Sequence, residues 1–401
     1  MSLTVLPFST SAPRPDAGRP PQPATAPAIP LAHVRARCGC RWRTASGTLS
    51  AVIDKAPSTD PLTTFIVGLP KAELHVHHVG SASPRIVADL AARHPDSPVP
   101  QDPDELERFF TFTDFAHFID VYLATVGLLR TDEDVRMLTY EVARDLAAQQ
   151  VRYAELTMTP YTSVVRGIPI EAYTEAIEDA RIAAERDHGV VLRWIYDIPG
   201  ESGLESADAT LTYALDHRPE ALVGFGLGGP EIGVPRPQFA PHFAAARSAG
   251  LHSVPHSGES TGPQSVWDAL THLGAERIGH GTTSVQDPRL LEHLAEHRIP
   301  LEVCPTSNIA TRVVENLDVH PIRAMRDAGV VVTVNSDDPP MFGTTLNREY
   351  EIAAHLLDLD ENGVADLARA ALDASFAPAD VAAALRAEIA SYSEEFSAGR
   401  R

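Results

Sequence analysis

The chain has 401 residues, long enough for a single α/β barrel with insertions, and its 54 acidic against 33 basic residues give a formal charge of −21. That charge repels phosphate backbones, which excludes nucleic acid as the natural partner and leaves a small, diffusible substrate. Three cysteines, Cys38, Cys40 and Cys304, are too few for a disulfide framework, and neither a signal-peptide pattern nor an apolar run of membrane-spanning length occurs, so a cytoplasmic protein without a membrane partner is expected.

In chain order, residues 11–32 are rich in Pro, Ala and Arg and lack hydrophobic periodicity. They cannot bury enough apolar surface to offset the entropy of ordering, so residues 1–62 are expected to be a disordered leader and residues 63–401 the folded barrel. The leader holds RARCGCRWR, whose CxC has no second Cys/His pair nearby and is read as unpaired thiols. Eight strand-like apolar runs follow, at 72–77, 151–156, 190–198, 221–227, 252–255, 277–279, 300–303 and 330–335. Between them, apolar residues recur at three- and four-residue steps in 170–186, 239–249, 264–272, 288–297 and 322–328. This alternation predicts a closed TIM (β/α)8 barrel. The interval between the first two runs is long, and Phe109, Phe110, Phe112, Phe115, Phe118 and Tyr122 crowd it. A helical insertion after the first strand is expected there, either covering the barrel mouth or packing on its flank.

Polar residues gather at the carboxyl ends of these runs, the end where a barrel enzyme builds its site. His75 and His77, two apart in a strand, point the same way. The fifth run ends in His256-Ser257-Gly258-Glu259, the sixth in His280-Gly281, the seventh in Cys304-Pro305-Thr306-Ser307-Asn308 and the eighth in Asn335-Ser336-Asp337-Asp338-Pro339. Imidazoles and carboxylates aimed at one cavity are satisfied by a divalent cation, and three His with one Asp suit zinc better than calcium or magnesium. A position left for water would then give a nucleophile near neutral pH, and a carboxylate outside the ligand set, Glu259, would shuttle its proton. The lysines are Lys55 and Lys71, and neither can bridge two metals inside the barrel, which predicts one zinc ion per chain and excludes a Schiff base. Cys304, in an apolar strand before Pro305, is expected to be a structural thiol.

In this order, LPKAELHVHHVGS, HSGES, IGHG, CPTSN and NSDDP resemble the adenosine deaminase family of the amidohydrolase superfamily, over about Leu69 to Glu394. The resemblance implies a zinc-dependent replacement of the 6-amino group of a purine by oxygen, with release of ammonia. Carried over by motif, His75, His77, His256 and Asp337 look like the metal ligands, Glu259 like the group that protonates ring N1, and His280 like the residue that orients the attacking hydroxide. Asp338 is similar to the carboxylate that meets N7, and Gly229, in Gly228-Gly229-Pro230-Glu231, to the glycine whose amide meets N3.

One departure bears on the substrate. The family typically reads HxHLDG, its aspartate contacting the ribose 5′-hydroxyl, and here Val79 stands in that place. A site without that hydrogen-bonding group implies a 5′-modified adenosine nucleoside. HVHHVGSASP is similar to the branch of the family that deaminates 6-amino-6-deoxyfutalosine, on the futalosine route to menaquinone, whose substrate carries a carboxyphenyl ketone at its 5′ end. Its carboxylate needs a cation, and Ser163 and Arg166 on the loop after the second strand offer a hydroxyl and a guanidinium together, with Arg312 in reserve. Adenosine or methylthioadenosine is the alternative substrate. A non-catalytic purine-nucleoside-binding protein is the alternative of another class, opposed by the intact ligand set with Glu259. The sequence leaves open a homo-oligomer.

Overall fold

The computed structural model describes residues 60–111 and 115–399. Lys55, the CxC pair, Phe112 and nearly all of the expected leader lie outside the described residues; Asp60 to Leu62 belong to the start of the first helix. In that helix, α1 (Pro61–Gly68), Asp60 caps the N-terminus by accepting from Thr63 N, and Pro61 opens the first turn, where its missing N–H costs nothing.

The barrel then runs β1 (Lys71–His77), α2 (Pro84–Arg93), α3 (Pro103–Phe109), α4 (Phe115–Val126), α5 (Asp132–Ala148), β2 (Val151–Met158), α6 (Pro160–Val164), α7 (Ile170–His188), β3 (Val191–Pro199), α8 (Gly203–Asp216) and β4 (Leu222–Gly228). Its second half comprises α9 (Ala240–Ser248), β5 (His252–Ser257), α10 (Pro263–Asp268), β6 (Ile278–His280), α11 (Pro288–Glu296), β7 (Leu301–Val303), α12 (Pro305–Ala310), α13 (Ile322–Asp327) and β8 (Val332–Val334). Three helices, α14 (Leu346–Leu357), α15 (Glu361–Ala374) and α16 (Ala379–Gly399), close the chain. All eight strands are parallel and neighbour one another in sequence order, as expected for a TIM barrel.

Each of the eight apolar runs is a strand, displaced by a few residues at most. One helical pattern is broken where the sequence suggested continuity. Residues 264–272 form α10 and then a π turn, Ala269–Leu273, ended by Gly274 in the left-handed region, and the carbonyl freed at Leu273 accepts from the buried Ser253 hydroxyl at 3.1 Å. A 3-10 turn, Arg236–Phe239, leads into α9, which fills the pattern expected over 239–249.

Four helices separate β1 from β2, which is the expected insertion. Of these, α5 packs along α7 as a barrel helix does, and α2 to α4 are the addition. Burial pushes the Tyr122 phenol on α4 above its ordinary range, and the carboxylates of Asp338, Glu201, Asp197 and Asp337 push it further. Those carboxylates stand at or just beyond the carboxyl ends of β3 and β8, so Tyr122 lies on the mouth side of the barrel.

The seam between β8 and β1 has no full ladder. It is closed by a bridge between Val76 and Asp337, in which Asp337 N donates to His75 O at 3.0 Å and His77 N donates to Asp337 O at 2.9 Å. Below the bridge the Asn335 side chain substitutes for a strand, its Oδ1 accepting from Leu74 N at 2.9 Å and His75 N at 3.2 Å while Nδ2 donates to Thr333. At the opposite end, Lys71 Nζ is buried against Ile66 O and Leu69 O, and burial lowers its pKa to about 7. Lys71 thus caps the barrel floor, remote from the carboxyl ends of the strands. No helix among the described residues is long and apolar enough to cross a membrane.

Asn335→Ala leaves two buried N–H groups without an acceptor, so urea unfolding should show a loss of about 1–3 kcal/mol; an unchanged midpoint would mean that the seam does not depend on this side chain.

Candidate active site

The carboxyl ends of β1, β5 and β8 bring His75, His77, His256 and Asp337 together, one donor atom from each lying within 4.8 Å of all the others. Two of the three imidazoles are oriented from behind. His75 Nδ1 meets Glu302 Oε2 at 2.8 Å and His256 Nδ1 meets Leu227 O at 3.1 Å. Because a carbonyl or carboxylate only accepts, both Nδ1 atoms carry the proton and both Nε2 atoms offer a lone pair. His75 Nε2 is buried without a hydrogen-bond partner, 3.6 Å from Asp337 Oδ1. His77 Nε2 lies 3.2 Å from the same oxygen and 3.1 Å from His256 Nε2.

The cluster demands positive charge. Burial alone would lower the pKa of His75 and His77, yet Asp337 and Glu302 hold the first at about 10, and Asp338 and Asp337 hold the second at about 9. Burial and the neighbouring imidazoles keep His256 neutral. A divalent cation answers the same demand when it displaces those protons. The orphaned His75 Nε2 and a donor set of three nitrogens and one carboxylate fit zinc or another late divalent metal.

Around the cluster stand the other expected residues. Asp337 Oδ2 accepts from Ser307 Oγ at 2.6 Å. His280, at the end of β6, takes a hydrogen bond from Asn308 Nδ2 at Nδ1 (3.2 Å), so its Nε2–H faces Glu259 Oε2 at 3.9 Å and Asp337 Oδ2 at 3.8 Å. Both His280 (φ 62°) and Asp337 (φ 66°) are held in the left-handed region, which costs on the order of 1–3 kcal/mol per residue and persists only where the surroundings impose it. Burial raises the pKa of Glu259, opposed by His280, which favours a carboxyl able to deliver a proton. Asp338 is raised to about 7 by burial, against the pull of His77. A Cβ on Gly80 would sit 1.6 Å from Asp338 Oδ1, so this aspartate requires glycine there.

Gly229 follows β4 with φ 78°, and a Cβ there would sit 2.1 Å from Glu201 Oε2. Ser163 is buried on α6, while Arg166 just beyond it is exposed and forms no ion pair among the described residues. No hydrogen bond or ion pair joins Ser163 or Arg166 to the metal-type cluster. Arg312 is exposed, with φ 61°. Cys304 is fully buried and burial pushes its thiol well above the ordinary range, which suits a structural role.

Residues 70–392 match the family model described as Adenosine deaminase. The chain belongs to the adenosine deaminase family. Over 333 residues it is 69% identical to a protein of Streptomyces avermitilis named aminodeoxyfutalosine deaminase, covering 82% of this chain and 93% of that one. Among solved structures it resembles adenine deaminase from Arthrobacter aurescens, with a TM-score of 0.77 and 32% identity over 82% of this chain and all of that one. It also resembles an amidohydrolase from Burkholderia ambifaria with bound zinc, with a TM-score of 0.76 and 26% identity over 87% of this chain and 96% of that one.

Several supports of this deaminase site carry no motif of their own. Glu231 organises the HSGES loop: its Oε1 accepts from Gly258 N at 2.7 Å, and its Oε2 from Ser260 N at 2.6 Å and Thr261 N at 2.9 Å. In the sequence it stands beside Gly229, which drew the attention. Asp197, at the end of β3, lies with Oδ2 3.9 Å from His256 Nδ1, and burial raises its pKa to about 7. The strand-end rule that singled out the histidines applies to it equally. A second signal is the glycine alternation of β4, because a Cβ on Gly226 or Gly228 would come within 2.1 or 2.2 Å of this carboxylate. Glu302, by contrast, acts through His75, far away in the sequence, and leaves no local trace, whereas Asn308 stands in the CPTSN motif and only its partner, His280, is distant.

Glu231→Gln turns one acceptor of the loop amides into a donor and should lower the melting temperature. A displacement of Glu259 by as little as 1 Å is expected to reduce kcat about 100-fold; full activity would show that the loop holds its shape without this carboxylate.

Proposed function

We propose that this deaminase hydrolyses the 6-amino group of 6-amino-6-deoxyfutalosine, giving futalosine and ammonia, with one zinc ion per chain held by His75, His77, His256 and Asp337. The observation that carries the substrate is the 69% identity with the Streptomyces avermitilis protein of that name. Val79 supports it: half-buried and packed on the core two residues after His77, it offers nothing to a 5′-hydroxyl.

Bound zinc supplies the Lewis acidity that makes water nucleophilic near neutral pH. The chain's own groups do the rest. His280 Nε2–H, facing both Glu259 and Asp337, orients the water toward C6 of the purine. Glu259 delivers a proton to ring N1 as attack drives electrons into the ring, then takes both protons of the water in turn, passing one to the departing amine and keeping the other in place of the one it gave up. Asp338 meets N7 and the Gly229 amide meets N3, which fixes the ring in its plane. These contacts strengthen as charge develops on the ring, so they favour the transition state over the bound nucleoside. At the 5′ end, Ser163 and Arg166 receive the carboxylate of the extension as a hydroxyl and guanidinium pair on one turn. The unpaired Arg166 guanidinium is consistent with a ligand anion as its partner.

Glu259→Gln should reduce turnover by at least about 100-fold, as loss of a general acid–base does, while metal analysis still finds about one zinc per chain; undiminished turnover would overturn the assignment.

A deamination panel tests the substrate. Arg166→Met should raise KM for aminodeoxyfutalosine about tenfold or more, by loss of a charge-assisted pair, and leave methylthioadenosine and adenosine unaffected. Equal turnover of adenosine and aminodeoxyfutalosine by the unaltered enzyme would refute the reading of Val79.

A further inference from the structure

Beneath the metal-type cluster lies a second layer of buried charge that none of these steps uses. Glu155 on β2, Arg277 at the entry to β6 and Glu302 on β7 are fully enclosed, at a depth where barrels are usually filled by branched aliphatic side chains. Every polar atom of the layer is occupied. Arg277 Nε donates to Glu302 Oε1 at 2.6 Å, Nη1 to Ala374 O at 3.0 Å, and Nη2 to Glu155 Oε2. Glu155 Oε1 accepts from Tyr153 Oη at 2.8 Å and from Phe376 N at 2.7 Å. The guanidinium also lies 4.0 Å from the centroid of the Phe376 ring, which in turn stacks on His252 at 3.7 Å.

Packed aliphatic side chains of similar volume would stabilise the fold at least as well as this ionic layer, so stability alone does not account for it. What the layer adds is direction. One oxygen of Glu302 is fixed by Arg277, and the other receives His75 Nδ1 at 2.8 Å. We propose that Arg277 and Phe376 are positioning residues for the metal centre: acting through Glu302, they fix the His75 ring and keep its Nε2 turned to the cation, so metal retention depends on the loop that joins α15 to α16. This rests on the zinc reading above. The physical basis is that a ligand histidine is only as well oriented as the group behind it, and that group only as well as its own partners.

The test is zinc affinity, measured on the full chain by competition with a chromophoric chelator, together with the rise in melting temperature that zinc produces. Arg277→Lys keeps the charge but loses the fork that joins Glu155, Glu302 and Ala374. Phe376→Leu removes the ring over the guanidinium at a half-buried position. Asp373→Asn is the control, since Asp373 stands at the end of α15 and, among the described residues, its side chain pairs with the exposed Arg386 and not with the buried layer. The zinc dissociation constant should rise about tenfold in Arg277→Lys, as expected for an outer-shell partner, and by a smaller factor in Phe376→Leu. The zinc-induced melting shift should shrink in the same order, with Asp373→Asn unchanged. If Arg277→Lys does not fold, Phe376→Leu carries the comparison. Zinc held as tightly by both variants as by the unaltered protein would overturn the proposal, as would equal loosening in Asp373→Asn. An unaltered protein without zinc affinity would overturn the metal reading itself, and the relay with it.

Discussion

Asp337 joins the fold to the chemistry. Its backbone closes the last gap of the barrel, donating to His75 O and accepting from His77 N, and its carboxylate faces the imidazoles of those same two residues. The seam of the barrel and the metal-type cluster are therefore one construction. A barrel whose eighth strand slipped against its first would lose the cluster together with the bridge. The left-handed conformation at Asp337 is the cost of using one residue both ways: the backbone must turn out of the strand at once so that the side chain can point inward.

Around this junction the buried charges differ in how directly they are paired. Glu302 illustrates the balance: burial would raise its pKa, but Arg277 and His75 outweigh burial and keep it ionised. Asp197, Asp338 and Glu73, which lack so direct a cationic partner, are each raised to about 7 by burial. The carboxylates of the barrel thus divide into those that must stay charged to orient a ligand and those that can hold a proton, and their neighbours make the division.

The HSGES loop depends on a similar economy. Glu231 gathers three consecutive-region amides onto one carboxylate, which shapes the loop from the outside and leaves Glu259 free of structural duty. Its own burial is compensated by Arg236, whose Nη2 lies 3.4 Å away.

How much of this was legible in the sequence follows from the range of each interaction. Strand periodicity and the polar residues at strand ends are local properties, so the eight strands, the insertion and the grouping of His75, His77, His256, His280 and Asp337 could be read directly. Only the tertiary structure decided that α4 reaches the barrel mouth, that residues 264–273 change from an α-helix to a π turn, and that Asn335 stands in for a strand at the seam. The same is true of the supports: Glu231 lies 27 residues from the amide of Gly258 that it orders, and Glu302 lies 227 residues from His75. Contacts across such separations leave no period in the chain. The first exists because β4 and β5 lie side by side, the second because barrel closure brings β1 round to face the last strands, and closure is a property of all eight strands together.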